Sequence, residues 1–515
     1  MITLRLRHIL LFTITILLTA CQFEDDQQCP DNNNVAASYI NLTITVSNGN
    51  QHGTRAGEMP ASGEDGDGRE AGFERENAVT GITLILYQDA NGINTTADPS
   101  PTLDLVRYFP VTKVNETVED PIEAKYTTGL QLIGKYGVAF AKEYHAIVIA
   151  NYDMTGSLTE GTSTLNNVRD ATLEAIYSGG NDYKSAANLY TNFIMSSEQD
   201  NILDFTDNDV MTEDASGDKI YNFDDDTHVL VIERMAARID FWAKGANYQT
   251  KNGTYDSNTK DGAGAGTYIT PGYVFPVWKS TDSSRPTSTD RFVVTRITPF
   301  NLNAGTEFLL KRTNDTNGKY LAVEAENGTT CIIDPSTSTK KGTSTPSTFV
   351  NALSGIASST DLSSNDYCHT ITSLHGLASA SSTIDSKENI VICYPMENTL
   401  PDESPLYYYA TGIAIEGDYY IGDNTTDATK REHRVYFGYI RHQGDAEAYD
   451  ALLPTQLDAT LKTSDQKPMN FGIVRNNIYR ISIDKVIEKT LDAPRLKIKI
   501  EETKWRHVDN PTIYI

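Results

Sequence analysis

Apolar and polar residues alternate along Tyr39–Val46, so Ile40, Leu42, Ile44 and Val46 fall on one face of an extended segment. Short apolar runs recur at Ile82–Tyr87, Tyr144–Ala150, Asn192–Ser196 and Val229–Ile232, and each predicts a strand. The rhythm changes once. Leu165, Val168, Ala171, Leu173 and Ile176 lie near helical spacing and predict a helix over Leu165–Tyr177. A second block starts at Glu233 and carries candidate strands at Phe292–Ile297, Glu307–Leu310, Ile390–Tyr394, Tyr407–Ile415, Arg434–Arg441, Gly472–Val486 and Leu496–Ile500. Ser/Thr/Gly-rich stretches at 250–290 and 334–366 read as long surface loops. Ser47 to Ala78 has almost no apolar content and reads as an exposed, flexible loop carrying Arg55, Arg69 and Arg75. Irregularly spaced strands joined by such loops predict a mainly all-β fold: β-sandwich domains with loop and short-helix insertions.

Both ends depart from this pattern. Arg5 and Arg7 precede a ten-residue apolar run, Ile9–Leu18, which is too short for a stable span but suits a secretory signal. The run ends in Leu18-Thr19-Ala20-Cys21, which resembles a bacterial lipobox and makes Cys21 the candidate lipidation site. The acidic stretch Gln22–Asp26 resembles surface-export signals of Bacteroidales lipoproteins, and reads equally as a solvated tether. At the other end Leu496, Ile498 and Ile500 alternate with basic residues, and the chain closes on Pro511-Thr512-Ile513-Tyr514-Ile515. An apolar strand so close to a terminus needs a sheet to pair with. That sheet is either its own domain's or a neighbouring molecule's.

Composition narrows the function classes. A net charge of −26 disfavours nucleic acid or anionic lipid as a partner. Besides Cys21 the cysteines are Cys29, Cys331, Cys368 and Cys393, too few for a disulfide framework, although one bridge among the last three is open. No HExxH, GxSxG, P-loop or complete GxGxxG is present, so no catalytic residues are assigned and no cofactor is expected. Cys368, His369, His375 and Cys393 match no structural zinc spacing. The acidic stretch from Asp200 to Asp226 lacks the glycine-centred loop of a calcium site and reads as solvated. No metal is assigned.

An ordered set of motifs then points to a family. Tyr394–Thr399 (YPMENT), Tyr439–His442 (YIRH), Asn470–Ile483 (NFGIVRNNIYRISI) and Lys504–Arg506 (KWR) follow one another, with weaker counterparts in YHAIVIANYD and NFIMSS. This succession resembles the fimbrillin family of Bacteroidales type V pili, especially the short-fimbria type of major subunit. The resemblance implies two transthyretin-like, Ig-like β-sandwich domains. Its expected divisions are a lipoprotein signal peptide at 1–20, a propeptide with a removable first strand at 21–55, an N-terminal sandwich at 56–232 and a C-terminal sandwich at 233–515. It also implies a maturation route. An arginine-specific protease cuts after the first strand, here between Arg55 and Ala56, with Arg69 and Arg75 as alternatives. The lost strand (Ile40, Leu42, Ile44, Val46) leaves a groove that accepts a C-terminal strand (Leu496, Ile498, Ile500, Ile513, Ile515) of the next subunit. The implied partners are copies of itself in a head-to-tail polymer, accessory and anchor fimbrial subunits, the protease, and host or bacterial surface ligands. Membrane contact is implied only through the precursor's lipid. The alternatives are an accessory or tip fimbrillin, and an outer-membrane-anchored lipoprotein that binds glycan or host protein.

Overall fold

The computed structural model describes residues 38–46, 69–71, 76, 79–88, 101–110, 112–114, 125–127, 130–132, 142–170, 193–197, 201–207, 209–213, 215, 219–223, 230–243, 245–249, 271–281, 283–303, 322–325, 329–332, 349–374, 389–400, 403–422, 431–441, 448–463, 471–488, 494–506 and 513–514. The fold is an all-β sandwich in which the few helices are short. In chain order the principal strands are β1 (Ser38–Val46), β2 (Arg69–Ala71), β3 (Gly81–Tyr87), β4 (Leu103–Pro110), β5 (Glu143–Ala150), β6 (Met195–Ser197), β7 (Lys219–Phe223) and β8 (Leu230–Arg234). They continue with β9 (Arg238–Trp242), β10 (Gly272–Trp278), β11 (Arg291–Phe300), β12 (Asn389–Cys393), β13 (Gly412–Tyr420), β14 (Arg431–Tyr439), β15 (Asn477–Ile487), β16 (Arg495–Arg506) and β17 (Ile513–Tyr514). The helices are α1 (Leu165–Asp170), α2 (Leu353–Ile356) and α3 (Leu406–Tyr409).

Two large strand assemblies organise these elements. The first runs β4-β3-β5-β6-β8-β1-β17, and the second runs β2-β16-β15-β10-β11-β13-β14 with β9 between β12 and β15. In the first, β3 and β5 are buried almost throughout, as expected of strands covered on both faces. In the second, β13 is buried along its full length. Each assembly has one strand that changes partners midway. The first half of β1 pairs parallel with β7 and its second half pairs parallel with β8. Likewise β10 pairs antiparallel with β11 through Tyr273–Pro276 and then parallel with β15 through Val277 and Trp278. A strand that switches in this way ties two layers together at a sandwich corner.

Several expectations change. The expected strand over Tyr407–Ile415 splits: Leu406–Tyr409 is helical and the strand begins at Gly412, because Leu406 and Tyr409 are buried on one side of a single turn. The stretch 250–290 is not wholly loop, since β10 lies within it with Tyr273, Val274, Phe275 and Val277 buried. The stretch 334–366 includes a short strand, Phe349–Val350, and α2, whose Leu353 and Ile356 pack in a second apolar cluster. Ser47 to Ala78 is not uniformly exposed: β2 pairs in parallel with Lys504–Arg506 of β16, and Glu76 is fully buried. Only the first turn and a half of the expected helix, α1, lies within the described residues, and Glu307–Leu310 lies outside them.

Close backbone approach leaves no room for a side chain at Gly412 in β13. A Cβ there would overlap the Phe300 ring and the Gly438 carbonyl oxygen, whereas one at Gly355 in α2 would meet nothing. Gly412→Ala should therefore lower stability by about 1–3 kcal/mol, read as a lower urea midpoint at unchanged slope. Gly355→Ala should leave the midpoint unchanged or raise it.

Candidate assembly site

The first strand is the candidate site for assembly, and its register explains why. Ile40 is fully buried. It pairs beside Tyr221, Leu42 beside Phe223, Ile44 beside Leu230 and Val46 beside Ile232. All four of those neighbours are buried. Behind them Phe205 packs edge-on against Tyr144, Tyr221 and Phe223. β1 therefore sits in line with the apolar layer of the first assembly. Its other side pairs antiparallel with Leu130–Leu132 and with β17, where Thr43 faces Tyr514 and Ile44 faces Ile513.

The candidate donor stretch divides in two. Leu496 and Ile498 are fully buried in β16, and Ile500 is partly buried against the same core. β16 is zipped to β15 from Arg495 to Lys504 and is flanked by β2 and Tyr449–Asp450. Residues so placed belong to the second assembly's own sheet. Ile513 lies in β17, beside β1, and Ile515 lies outside the described residues. Cys21, Cys29, Arg55, Ala56 and Arg75 also lie outside them, while Arg69 opens β2.

Downstream of the arginine-bearing segment, Glu76 forms a buried bolt. Its carboxylate accepts hydrogen bonds from Arg238 Nη1 at 3.2 Å and from the Tyr394 hydroxyl, and its carbonyl accepts from Arg234 Nε at 3.0 Å. Arg238 also clasps Asp240 through two bonds of 2.8 and 2.9 Å, the two residues sharing one face of β9. Burial alone would lower the Arg238 pKa, but the Asp240 and Glu76 charges outweigh it and hold it well above the ordinary value. For Arg234 burial wins and lowers the pKa to about 10, with Glu76 pulling the other way.

Residues of two motifs, YPMENT and NFGIVRNNIYRISI, meet at the same junction. Arg475 forms a buried ion pair with Glu397, Nη2 to Oε2 at 3.0 Å, and Arg475 Nη1 donates to Ser196 Oγ at 3.4 Å. Arg234 Nη1 donates to Asn476 Oδ1 at 2.7 Å, and Asn476 takes the left-handed conformation with φ 59°. Asn398 Nδ2 donates to the Tyr409 carbonyl and to Thr411 Oγ1. Arg441 lies 3.7 Å over the Tyr449 ring. These residues tie together the elements on which they sit, and none is arranged as a nucleophile with a base. Sequence reasoning missed Glu76 and its cationic partners. The signal was present as Arg238 and Asp240 two residues apart within an apolar strand.

A second charged group lies on β13 and β14. Asp361, Glu416 and His433 place ligand-type atoms within 4.8 Å of one another. Their charges are already matched. Arg296 bonds Glu416, and His433 lies 2.8 Å from Asp418 through Nδ1 and 3.4 Å from Glu416 through Nε2. Hydrogen bonding to Asp418 and then Glu416 raises the His433 pKa to about 9. A metal would have to displace that proton and compete with Arg296, so the donor set does not fit one. Among the described residues the other metal candidates do not gather into a ligand set. Cys368 and Cys393 are free thiols, with burial pushing the Cys393 pKa far up. Asp204 and Asp207 cap local turns through the backbone amides of Thr206 and Asp209. His375 and Asp224–Asp226 lie outside the described residues.

Fold and site together define an all-β sandwich protein whose first strand is shared between two layers. No protein-family model and no curated protein matches the chain. Among solved structures it is similar to a candidate cell adhesion protein from Parabacteroides distasonis, with 12% identity, a TM-score of 0.43 and coverage of 92% of this chain and 99% of that one. It is also similar to the tip fimbrial protein Mfa3 from Porphyromonas gingivalis with C-terminal truncation, at 10% identity and TM-score 0.41 over 91% and 100%. A fimbrial assembly protein from Parabacteroides distasonis gives 10% identity and TM-score 0.30 over 90% and 94%.

Two measurements follow from the charged clusters. Glu76→Gln removes a carboxylate charge that Arg238 shares with Asp240 and that offsets the burial of Arg234, and should cost about 1–3 kcal/mol, read by denaturant unfolding. An unchanged midpoint would contradict the bolt. His433 has a raised pKa, so its contribution to stability is complete below its unfolded value near 6.5 and disappears as pH rises through about 9. His433→Gln should accordingly flatten the stability curve between those two values; a parallel curve would show that His433 carries none of the slope.

Proposed function

We propose that this chain is a structural subunit of a cell-surface fimbrium, made as a lipoprotein precursor and polymerised by strand exchange. The observation that carries the reading is the place of β1, an N-terminal strand paired on both sides and aligned with buried Tyr221, Phe223, Leu230 and Ile232. In the proposed route lipid is attached at Cys21 and the chain is cut between Arg55 and Ala56. Loss of β1 leaves unpaired backbone and an apolar groove, which is unstable in water. An extended segment of another copy restores the main-chain bonds, as in chaperone–pilin strand complementation. Each aliphatic side chain it buries contributes roughly 1.5–3 kcal/mol. A head-to-tail contact of this kind does not close on itself and so grows into a filament.

The reading also assigns the donor to the segment after β16, since Leu496 and Ile498 are committed to their own core. Deletion of residues 507–515 should leave a folded, processed monomer and abolish polymer in cells. Normal filaments from that chain would sink the proposed exchange. Processing is tested separately by N-terminal sequencing and intact mass of sheared surface material. A start at Ala56 in high-molecular-weight polymer is expected. A lipidated Cys21 start in monomeric, detergent-soluble material would instead favour an anchored binding lipoprotein.

A further inference from the structure

The last strand of the chain lies directly against the first. One edge of β1 pairs with β7 and β8. Along its other edge Ser38–Ile40 pair with Leu130–Leu132, and the ladder then passes to β17 at Thr43 and Ile44. The proposed removable strand and the proposed donor segment are therefore neighbours in the uncut chain.

Little else holds β17. Among the described residues it has three pairings, two with β1 and one, in parallel, between Tyr514 and Thr127. Lys125–Thr127 pairs in turn with Thr112–Val114, and the sheet order beyond β1 is β17, then 125–127, then 112–114. Among the described residues these two short strands join the sheet only through β17. Loss of β1 thus separates all three from the ladder of the first assembly. Strand pairs this short do not hold together alone in water.

The base of the terminal segment is fixed differently. Lys504–Arg506 pair with β2, and Lys504 also pairs with Asn477 of β15. Neither β2 nor β15 leaves with a cut after Arg55. Ile513 is seven residues beyond Arg506, a reach of at most roughly 25 Å. The tip of the segment is held by β1, and its base is not.

We propose that β1 latches the C-terminal strand of its own chain, so that one cut frees the groove and the donor segment together. The latch is a property of the uncut monomer; its use in assembly rests on the strand exchange proposed above. It has a consequence that a filled groove alone lacks. If the groove were merely filled, an uncut chain would keep a free donor and could end a growing polymer. With the latch, an uncut chain neither accepts nor donates.

The test uses the detergent-solubilised uncut chain. Opposed residues of an antiparallel pair lie about 4.5–5.5 Å apart at Cα, within reach of a disulfide. Thr43→Cys with Tyr514→Cys, which face each other, should oxidise to an intramolecular bridge, read by peptide mass mapping. Asn41→Cys with Tyr514→Cys, two residues out of register, should bridge at least about tenfold more slowly. Amide exchange of the unsubstituted chain reads the release: removal of β1 at monomeric concentration should speed exchange at Ile513 and Tyr514 at least about tenfold. Equal bridging by the two cysteine pairs, or equal exchange before and after removal, would overturn the latch whether or not the chain polymerises. An excess of uncut chain added to assembling cut chain should leave filament length unchanged. Shortened filaments with uncut chain at their ends would overturn the latch and leave strand exchange standing. Cut chains that never polymerise, although the bridge and the exchange shift are both seen, would sink strand exchange and keep the latch.

Discussion

A strand inside a sheet must satisfy the backbone of both neighbours, and β1 does so for two layers at once. Its first half completes the ladder at Lys219–Phe223 and its second half completes the ladder at Leu230–Ile232. Every buried N–H and C=O on those edges that lost its partner would cost on the order of 1–3 kcal/mol. The apolar layer behind, from Phe205 to Phe223 and Ile232, adds its own penalty if exposed. The first assembly is therefore complete only with some strand in the β1 position. Nothing in this requirement specifies which chain supplies it. That indifference is what makes a strand-exchange polymer physically reasonable for this fold.

The second assembly solves the same corner without an exchangeable strand. There β10 switches from β11 to β15, but it lies in the middle of the chain and cannot be released by one cut. Its sheet is further closed by β16, with Leu496 and Ile498 fully buried. The two halves share one apolar core, in which Phe193 packs edge-on against Tyr394, and ionic groups are set into it. Arg234 and Arg238 stand on β8 and β9, either side of the passage from one assembly to the other, and both reach Glu76. Buried charges of this kind contribute little net stability over an apolar substitute, but losing one partner is costly. They therefore fix a single geometry more than they strengthen it.

How much of this could be read in advance depends on the periodicity of each segment. The alternation in Tyr39–Val46 marked β1 to within a residue, and the apolar runs marked β3, β5 and β14. Leu406–Tyr409 was harder because three consecutive tyrosines carry strand propensity, yet packing against Leu353 and Phe349 in one cluster favours a turn of helix. β10 was obscured by its Gly- and Ser-rich surroundings. The motifs YPMENT and GIVRNN were visible as motifs, but their role was not. Glu397 and Arg475 are 78 residues apart in sequence and meet only through the topology. Glu76 was hidden for the same reason, since its partners Arg238 and Tyr394 are 162 and 318 positions away.

The bolt and β2 together bear on where a processing cut can fall. A cut after Arg75 would place the new, charged amino terminus on Glu76 itself, a residue with no solvent exposure, and its hydration would have to be given up or the bolt opened. A cut after Arg69 would divide β2, taking away the residue paired with Lys504 and leaving the new amino terminus on Glu70 beside Trp505. Two paired residues at a new terminus would hold that edge weakly, at the point from which the chain continues to β17. A cut after Arg55 touches neither element. It separates β1 from the rest while β2 and Glu76 stay with the second assembly, so the groove opens without loosening the junction that holds the two assemblies in register. Among the three arginines, a cut after Arg55 is the one most compatible with the proposed route.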